Sequence, residues 1–216
     1  MSADPTETFP ALDLPFIRHA FLCKVPGVDV TVEREEALRR LGEYHAEARR
    51  SPDFEGKTFV TAEQVHGKNV AVYGAGSPEC APGADGIVTN ERNAVLGIYV
   101  ADCCAVYLVD PANRAIGLVH SGKKGSELGI AAVAIETMCE QFGTDPANLI
   151  VQLSPCIRPP FYEIDFAAQI ADQCRASGVK QVVDCGSNTA ADLTRYYSYR
   201  VEHGKTGRML AMLALH

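Results

Sequence analysis

Between Gly86 and His120 the chain carries four short apolar runs, "GIVT", "AVLGIYV", "AVYLVD" and "AIGLVH", bounded by turn residues such as Asp110-Pro111-Ala112-Asn113. Runs of this length, rich in Val, Ile and Tyr, read as buried strands: β-branched and aromatic side chains fill a pleated surface, and Gly, Pro, Asn and Asp interrupt it. Further strand signals lie in "KTFVT" from Lys57, "VAVY" from Val70, "LIVQL" from Leu149 and "KQVVDC" from Lys180. The Gly- and Pro-dense "GAGSPECAPGAD" between two of them has to be a loop.

The period changes elsewhere. "TVEREEALRRLGEYHAEARR" brings Val32, Leu38, Leu41 and Tyr44 near one another on a helical surface, with Thr31 as candidate N-cap. In "SELGIAAVAIETMCEQFG" one face collects Leu128, Ala131, Ala132, Ile135, Met138, Cys139 and Phe142, and Gly143 with Pro146 supplies the stop. "FAAQIADQCRASG" reads as a further helix ending at Gly178. Strands mixed with helices, and no internal repeat or long linker, predict one mixed α/β (α+β) domain over 16–216. Residues 1–15, without periodicity, read as a loosely held lead-in.

With 47% hydrophobic and 22% charged residues among 216, the chain has the balance of a globular protein with a substantial core. A net charge of −7, with no long basic tract, argues against nucleic acid as a partner. No apolar run reaches the roughly 18 residues of a membrane span, and the N-terminal segment does not have the pattern of a secretory signal. A cytoplasmic location is therefore expected, and the eight cysteines are expected as reduced thiols rather than a disulfide framework.

Three residues share a setting. His66 in "QVHG", Cys103 in "ADCC" and His120 in "VHSG" each sit at or just past a strand end, where side chains commonly face a shared cleft. Two His and one Cys suit zinc, whose catalytic sites keep three protein ligands and an open position. Each also has a plain reading: a hydrogen-bonded turn His, or a Cys used as a small core hydrophobe. Cys103 and Cys104 point to opposite sides of a strand, so only one faces inward. His19, His45 and His203 lack this setting, and His45 is expected to be solvated. Lys123 and Lys124 in "HSGKKG" offer ammonium groups before a helix, as an anion site would, or form an ordinary solvated turn. The proline-rich "SPCIRPPFYEID" fixes Arg158, which could clamp a carboxylate or phosphate or simply pair with Glu163 or Asp165. The aromatic residues of "RYYSYRVEHGKTGRML" read as an edge-strand face.

In order and spacing these pieces resemble the YfiH or laccase-domain family. The matching stretches are "QVHG" from Gln64, "ADGIVT" from Ala84, "VADCC" from Val100, "HSGKKG" from His120, "SPCIRPPFYEI" from Ser154, "YYSYR" from Tyr196 and "TGR" from Thr206. The resemblance implies a four-layer α/β/β/α arrangement of mixed sheets, related to the catalytic domain of cytotoxic necrotizing factor. It implies zinc held by His66, Cys103 and His120, with copper as the other candidate metal, and leaves Cys104 facing the core. The implied substrates are purine nucleosides and phosphate: phosphorolysis of adenosine, inosine or methylthioadenosine, and deamination of adenosine.

On that reading Asp102 or Glu63 would move protons, and Lys24, Lys124 and Arg158 would hold phosphate. The expected assembly is a monomer or homodimer. Two departures stand out: Lys123 replaces the family's tryptophan and Lys24 an arginine. Competing readings are a metal-free cysteine hydrolase using Cys103 and His120, a copper-dependent polyphenol oxidase, and a metal-binding domain that has lost catalysis.

Overall fold

The computed structural model describes residues 6–216; residues 1–5 lie outside the described residues. In chain order the elements are β1 (Thr6–Glu7), β2 (Ile17–Leu22), α1 (Arg34–Arg49), β3 (Thr58–Ala62), β4 (Val70–Val72), β5 (Cys80–Ala81), β6 (Gly86–Thr89), β7 (Ala94–Val100) and β8 (Cys104–Asp110). They continue with β9 (Ala115–Ser121), α2 (Lys123–Glu127), α3 (Ile130–Phe142), β10 (Ile150–Leu153), α4 (Phe166–Ala176), β11 (Gln181–Asp184) and β12 (Met209–Leu215). The strands form two six-stranded sheets, ordered β1-β2-β12-β7-β3-β5 and β11-β10-β8-β9-β6-β4. Both are mixed, with parallel pairs at β3/β7 and β3/β5 in the first and at β4/β6 and β10/β11 in the second.

Alternation along the central strands shows how the layers stack. Ala105, Tyr107 and Val109 of β8 share one core with Leu96 and Ile98 of β7 and with Met209, Ala211 and Leu213 of β12. Cys104, Val106 and Leu108, pointing the other way, pack against Ile130, Ala134 and Met138 of α3 and Phe166 and Ile170 of α4. The two sheets therefore face each other across a shared core, and α3 and α4 cover the outer face of the second. With period two, each residue has one assigned face. Among the described residues no helix is long and apolar enough to cross a membrane.

Several sequence expectations need correction. Helix α1 starts at Arg34 with Glu33 as N-cap, because Thr31 donates its N–H to the side chain of Asp29 instead of capping the helix. Its buried stripe is Ala37, Leu41 and His45, and Tyr44 is exposed, so His45 is a core residue rather than a solvated one. The expected long helix after His120 is two, broken at Gly129, whose φ of 74° interrupts the helical path. Gly143 at φ 68° ends α3 as expected.

The described part of the lead-in is packed: Thr6–Glu7 pair with β2, and Phe9 and Leu12 are buried. Residues 196–208 form turns rather than an edge strand. Their polar groups are collected by buried or half-buried carboxylates: Asp102 accepts from the Ser198 hydroxyl and the Arg200 N–H, and Glu202 from the Ser198 N–H and the Thr206 hydroxyl.

Candidate metal centre

The ladder between β8 and β9 sets Cys104 opposite Ser121 and Ala105 opposite His120. One step beyond, Cys103 faces Gly122. A Cβ there would stand 2.5 Å from the Cys103 Sγ, so only glycine leaves room for the thiol in this position. On the other side of β9 the ladder with β6 pairs Gly86 with Val119, which brings Asp85 beside His120. The His120 N–H donates to the Asp85 carbonyl at 2.7 Å, and its Nδ1 lies 2.9 Å from the Asp85 Oδ1. The same carboxylate accepts the backbone N–H groups of His66 at 2.9 Å and Gly67 at 2.7 Å. Asp85, fully buried, thus ties the loop after β3 to the end of β9.

The loop after β3 is held from its other side by Gln64. Its Nε2 donates to the Tyr99 carbonyl at 2.6 Å and its Oε1 accepts the Tyr99 N–H at 3.0 Å, an amide standing in for a paired strand beside β7. Gln64, His66 and Asp102 all have positive φ, 64°, 60° and 80°. For residues other than glycine that region is sparsely populated, and such strain clusters where the surroundings over-determine a functional geometry. The result is one cluster in which the ligand atoms of His66, Cys103 and His120 lie within 4.8 Å of one another.

The electrostatics of the cluster suit a cation. Burial pushes the Cys103 thiol up, but the His120 and His66 imidazoles more than reverse this and bring it down to about 6. Burial depresses His120, yet the Cys103 thiolate and Asp85 raise it to about 9. Asp85 is held below its ordinary value: burial opposes ionisation, and the hydrogen bonds from His120, Gly67 and His66 outweigh it. A thiolate beside two imidazoles is a donor set for zinc or another borderline to soft metal, and unlike one for calcium or magnesium. With Nδ1 engaged by Asp85, His120 has Nε2 for a metal, the arrangement in which a second carboxylate orients a ligating imidazole. The residues present therefore fit the metal.

The triad lies on the wall of a cleft of about 940 Å³, also lined by Tyr99, Asp102, Lys123, Tyr162, Phe166, Tyr199, Arg200, Lys205 and Arg208 and by the start of α1 at Glu33 and Arg34. The other residues singled out in the sequence fall as follows. Asp102 lines the cleft, but its carboxylate is engaged by the Thr189 hydroxyl at 2.7 Å, the Ser198 hydroxyl at 3.1 Å and the Arg200 N–H at 2.7 Å. Glu63 is exposed outside the cleft lining and accepts the Gly83 N–H. Lys24 pairs with Glu202, and Arg158 forms a two-pronged pair with Asp184. Neither of these nor Lys124 is part of the cleft lining, whereas Lys123 is. Cys104 is fully buried among α3 and α4 side chains.

Sequence reasoning passed over Asp85, Gln64, Arg34 and Arg208. Gln64, Asp85 and Arg208 lie within "QVHG", "ADGIVT" and "TGR", stretches that carry the family resemblance, whereas Arg34 has no such signal.

Comparison with known proteins places this geometry in a group. Residues 27–169 and 162–216 match the family described as "Multi-copper polyphenol oxidoreductase laccase". The chain is 29% identical over 232 residues to a purine nucleoside phosphorylase of Deinococcus radiodurans, covering 92% of this chain and 89% of that one. It is 33% identical over 149 residues to a purine nucleoside phosphorylase of Streptomyces coelicolor, covering 68% of this chain and 56% of that protein. The match to the mouse purine nucleoside phosphorylase LACC1, 33% over 129 residues, covers 28% of that longer protein. Among solved structures, the hypothetical protein YfiH of Bacillus licheniformis shares the fold with a TM-score of 0.83 at 19% identity, over 99% of this chain and all of that one.

Proposed function

The chain belongs to the YfiH or laccase-domain family, and on that premise we propose that it is a metal-dependent enzyme acting on purine nucleosides. The observation that carries the reading is the convergence of His66, Cys103 and His120 within 4.8 Å on the wall of a cleft whose 940 Å³ falls in the range of small-molecule sites, roughly 300–1,000 Å³. Relatives named as purine nucleoside phosphorylases support the substrate class.

Zinc is the metal the donor set favours, and when bound it would supply Lewis acidity at an open coordination position. The chain's own residues do the remainder. His66, Cys103 and His120 hold the metal, and Asp85 fixes the tautomer and direction of His120. Tyr162 and Tyr199 offer ring faces on the cleft wall for a purine, with the buried Phe166 packed behind Tyr162. Asp102 acts through its neighbours: by engaging Ser198 and Arg200 it sets the start of the 199–208 loop, which makes it a positioning residue.

Phosphorolysis of inosine or adenosine is the expected reaction, with deamination of adenosine as a companion activity. The test is to incubate zinc-loaded protein with each nucleoside, with and without phosphate, and to follow free base, ribose 1-phosphate and inosine. Phosphate-dependent release of base supports the reading. No conversion of either nucleoside by protein of verified metal content would overturn it.

A second reading draws on the depressed Cys103 thiol beside the raised His120. In metal-free protein they form a thiolate–imidazolium pair of the kind cysteine hydrolases use. It requires activity to survive a chelator, so loss of turnover on chelation eliminates it.

A further inference from the structure

The segment from Arg195 to Arg208 supplies six cleft residues, Tyr199, Arg200, His203, Gly204, Lys205 and Arg208, yet no helix or strand runs through it. A stretch built of turns keeps its shape only through bonds to the rest of the fold. Asp102 supplies one set of those bonds. A second set comes from the N-terminal strands.

Glu7, on the two-residue strand β1, reaches the segment with a half-buried carboxylate. Its Oε1 accepts both the Tyr196 hydroxyl, at 2.7 Å, and the Arg195 Nε–H. Just past β2, the Lys24 N–H donates to the Arg195 carbonyl at 2.8 Å and the Val25 N–H to the Tyr197 hydroxyl at 3.1 Å. The Lys24 ammonium donates to Glu202 at 3.2 Å, and the other Glu202 oxygen accepts the Ser198 N–H at 2.9 Å. Tyr196 and Tyr197 are buried, and a Cβ at Gly207 would stand 2.5 Å from the Tyr197 ring, so these props extend to the residue beside Arg208. None of the bonds goes to His66, Cys103, His120 or Asp85.

We infer that Glu7, outside the cleft, is a positioning residue for it: by holding Arg195 and Tyr196 it sets the path of residues 199–208 and thereby the affinity of the cleft for its substrate. The bond from a buried hydroxyl to a carboxylate is charge-assisted and stronger than one between neutral groups. Strand β1 meets the rest of its sheet only at Thr6 opposite Leu22 and Glu7 opposite Phe21, so the side chain of Glu7 is its link to the cleft segment. The metal ligands hang on Asp85 instead and stay in place when this link is cut. A wall that moves while the reacting centre does not changes KM more than kcat. The inference rests on the nucleoside reading only for the substrate used to follow it.

Glu7→Ala, Tyr196→Phe and the double variant are compared with the parent as full-length, zinc-loaded proteins. Hydrogen exchange followed by mass spectrometry reads the segment without turnover. Peptides covering 195–206 should exchange at least about tenfold faster in Glu7→Ala, while peptides containing His66 and His120 keep the parental rate. With inosine and phosphate, KM should rise roughly three- to tenfold, the worth of one or two hydrogen bonds, with kcat within about twofold of the parent. Tyr196→Phe removes one hydroxyl, so its effects should be smaller, and it remains informative if Glu7→Ala does not fold. The double variant should go no further than Glu7→Ala, because hydroxyl and carboxylate form one tie.

Parental exchange over 195–206 in whichever of these variants fold overturns the inference. Faster exchange there with KM unchanged, or a fall in kcat as large as the rise in KM, also overturns it, since Glu7 would then support the fold and not the cleft. A parent that turns over neither inosine nor adenosine counts against the proposed reaction alone, and exchange then decides whether Glu7 holds the segment.

Discussion

The two walls of the cleft are built on different principles. The wall carrying His66, Cys103 and His120 hangs on a carboxylate whose three hydrogen bonds all go to the cluster and its loop, and Gly122 leaves no slack around the thiol. Elsewhere the cleft is lined by Arg34 at the start of α1 and by Lys205 and Arg208 on the 199–208 turns, none with an acidic partner, while Lys123 follows Gly122 beside the cluster itself. One wall is fixed by buried hydrogen bonds, whereas on the other Arg34 and Lys205 are exposed to water and only Arg208 is buried. The contrast fits a fixed reacting centre faced by a surface that selects what reaches it.

The severest way to test the first wall is to remove its central ligand. Cys103→Ala leaves two imidazoles and no thiolate. It should weaken zinc binding by more than roughly 100-fold, beyond what loss of an outer-sphere partner does. Competition against a chromophoric chelator measures this, and nucleoside turnover should disappear with the metal. Near-parental affinity in the variant would mean that the three residues do not form a metal site.

Asp102 links the two walls, since it follows β7 yet holds Ser198 and Arg200 on the loop opposite. Asp102→Ala leaves buried donors without an acceptor, each worth about 1–3 kcal/mol when orphaned, so a loss on the order of 3 kcal/mol is expected in urea unfolding. Because the residue holds the 199–208 loop rather than the cluster, zinc affinity should stay near the parental value. A fall in zinc affinity alongside the loss of stability would show that the walls are not separable.

The next effect is smaller and confined to one wall. Asp85→Asn keeps the shape but removes the charge that orients His120, and it should reduce zinc affinity by about 10–100-fold. A variant with parental zinc affinity would reduce Asp85 to a structural tie between β6 and β9.

The same contrast governs how far the sequence could be read. The buried strands from β6 to β9 were legible because their side chains decide locally between sheet and turn. His66, Cys103 and His120 could be picked out because each stands where such a strand ends, and the family resemblance names the same three. Asp85 and Gln64 were not legible as supports, because their roles depend on the registers that set β6 beside β9 and the loop after β3 beside β7, and no local pattern encodes a register.

The cationic wall was hidden for a related reason. Lys24, Lys124 and Arg158 stand close in sequence to recognisable motifs, yet two of them are taken up by Glu202 and Asp184 and none lines the cleft. Arg208 lies in "TGR", one of the stretches that carry the family resemblance, but its burial on the cleft wall depends on the fold. His45 shows the same limit within a helix, where apolar residues alone suggested a stripe through Tyr44 and the fold chose Ala37, Leu41 and His45.

His45 supplies the mildest test, and it probes what lies beneath the cationic wall. Its ring is 2% exposed and stands 5.4 Å from the Tyr99 ring, whose backbone is gripped by Gln64 on the ligand side. Burial pushes its imidazole down to about 4, opposed by a hydrogen bond to the Arg208 backbone and assisted by the charge of Arg49. In the unfolded chain it titrates near 6.5, so between these values the unfolded state binds a proton that the native state does not. The stabilisation is therefore complete above about 6.5 and is lost as the pH falls toward 4. Lowering the pH from about 7 to 5 should cost about 2 kcal/mol from this residue, seen as a lower urea midpoint at unchanged slope. His45→Gln cannot take up the proton and should lose that part of the acid dependence. If the variant keeps the full parental dependence, the acid sensitivity does not come from His45, and His19, whose imidazole burial also holds down, is the next group to replace.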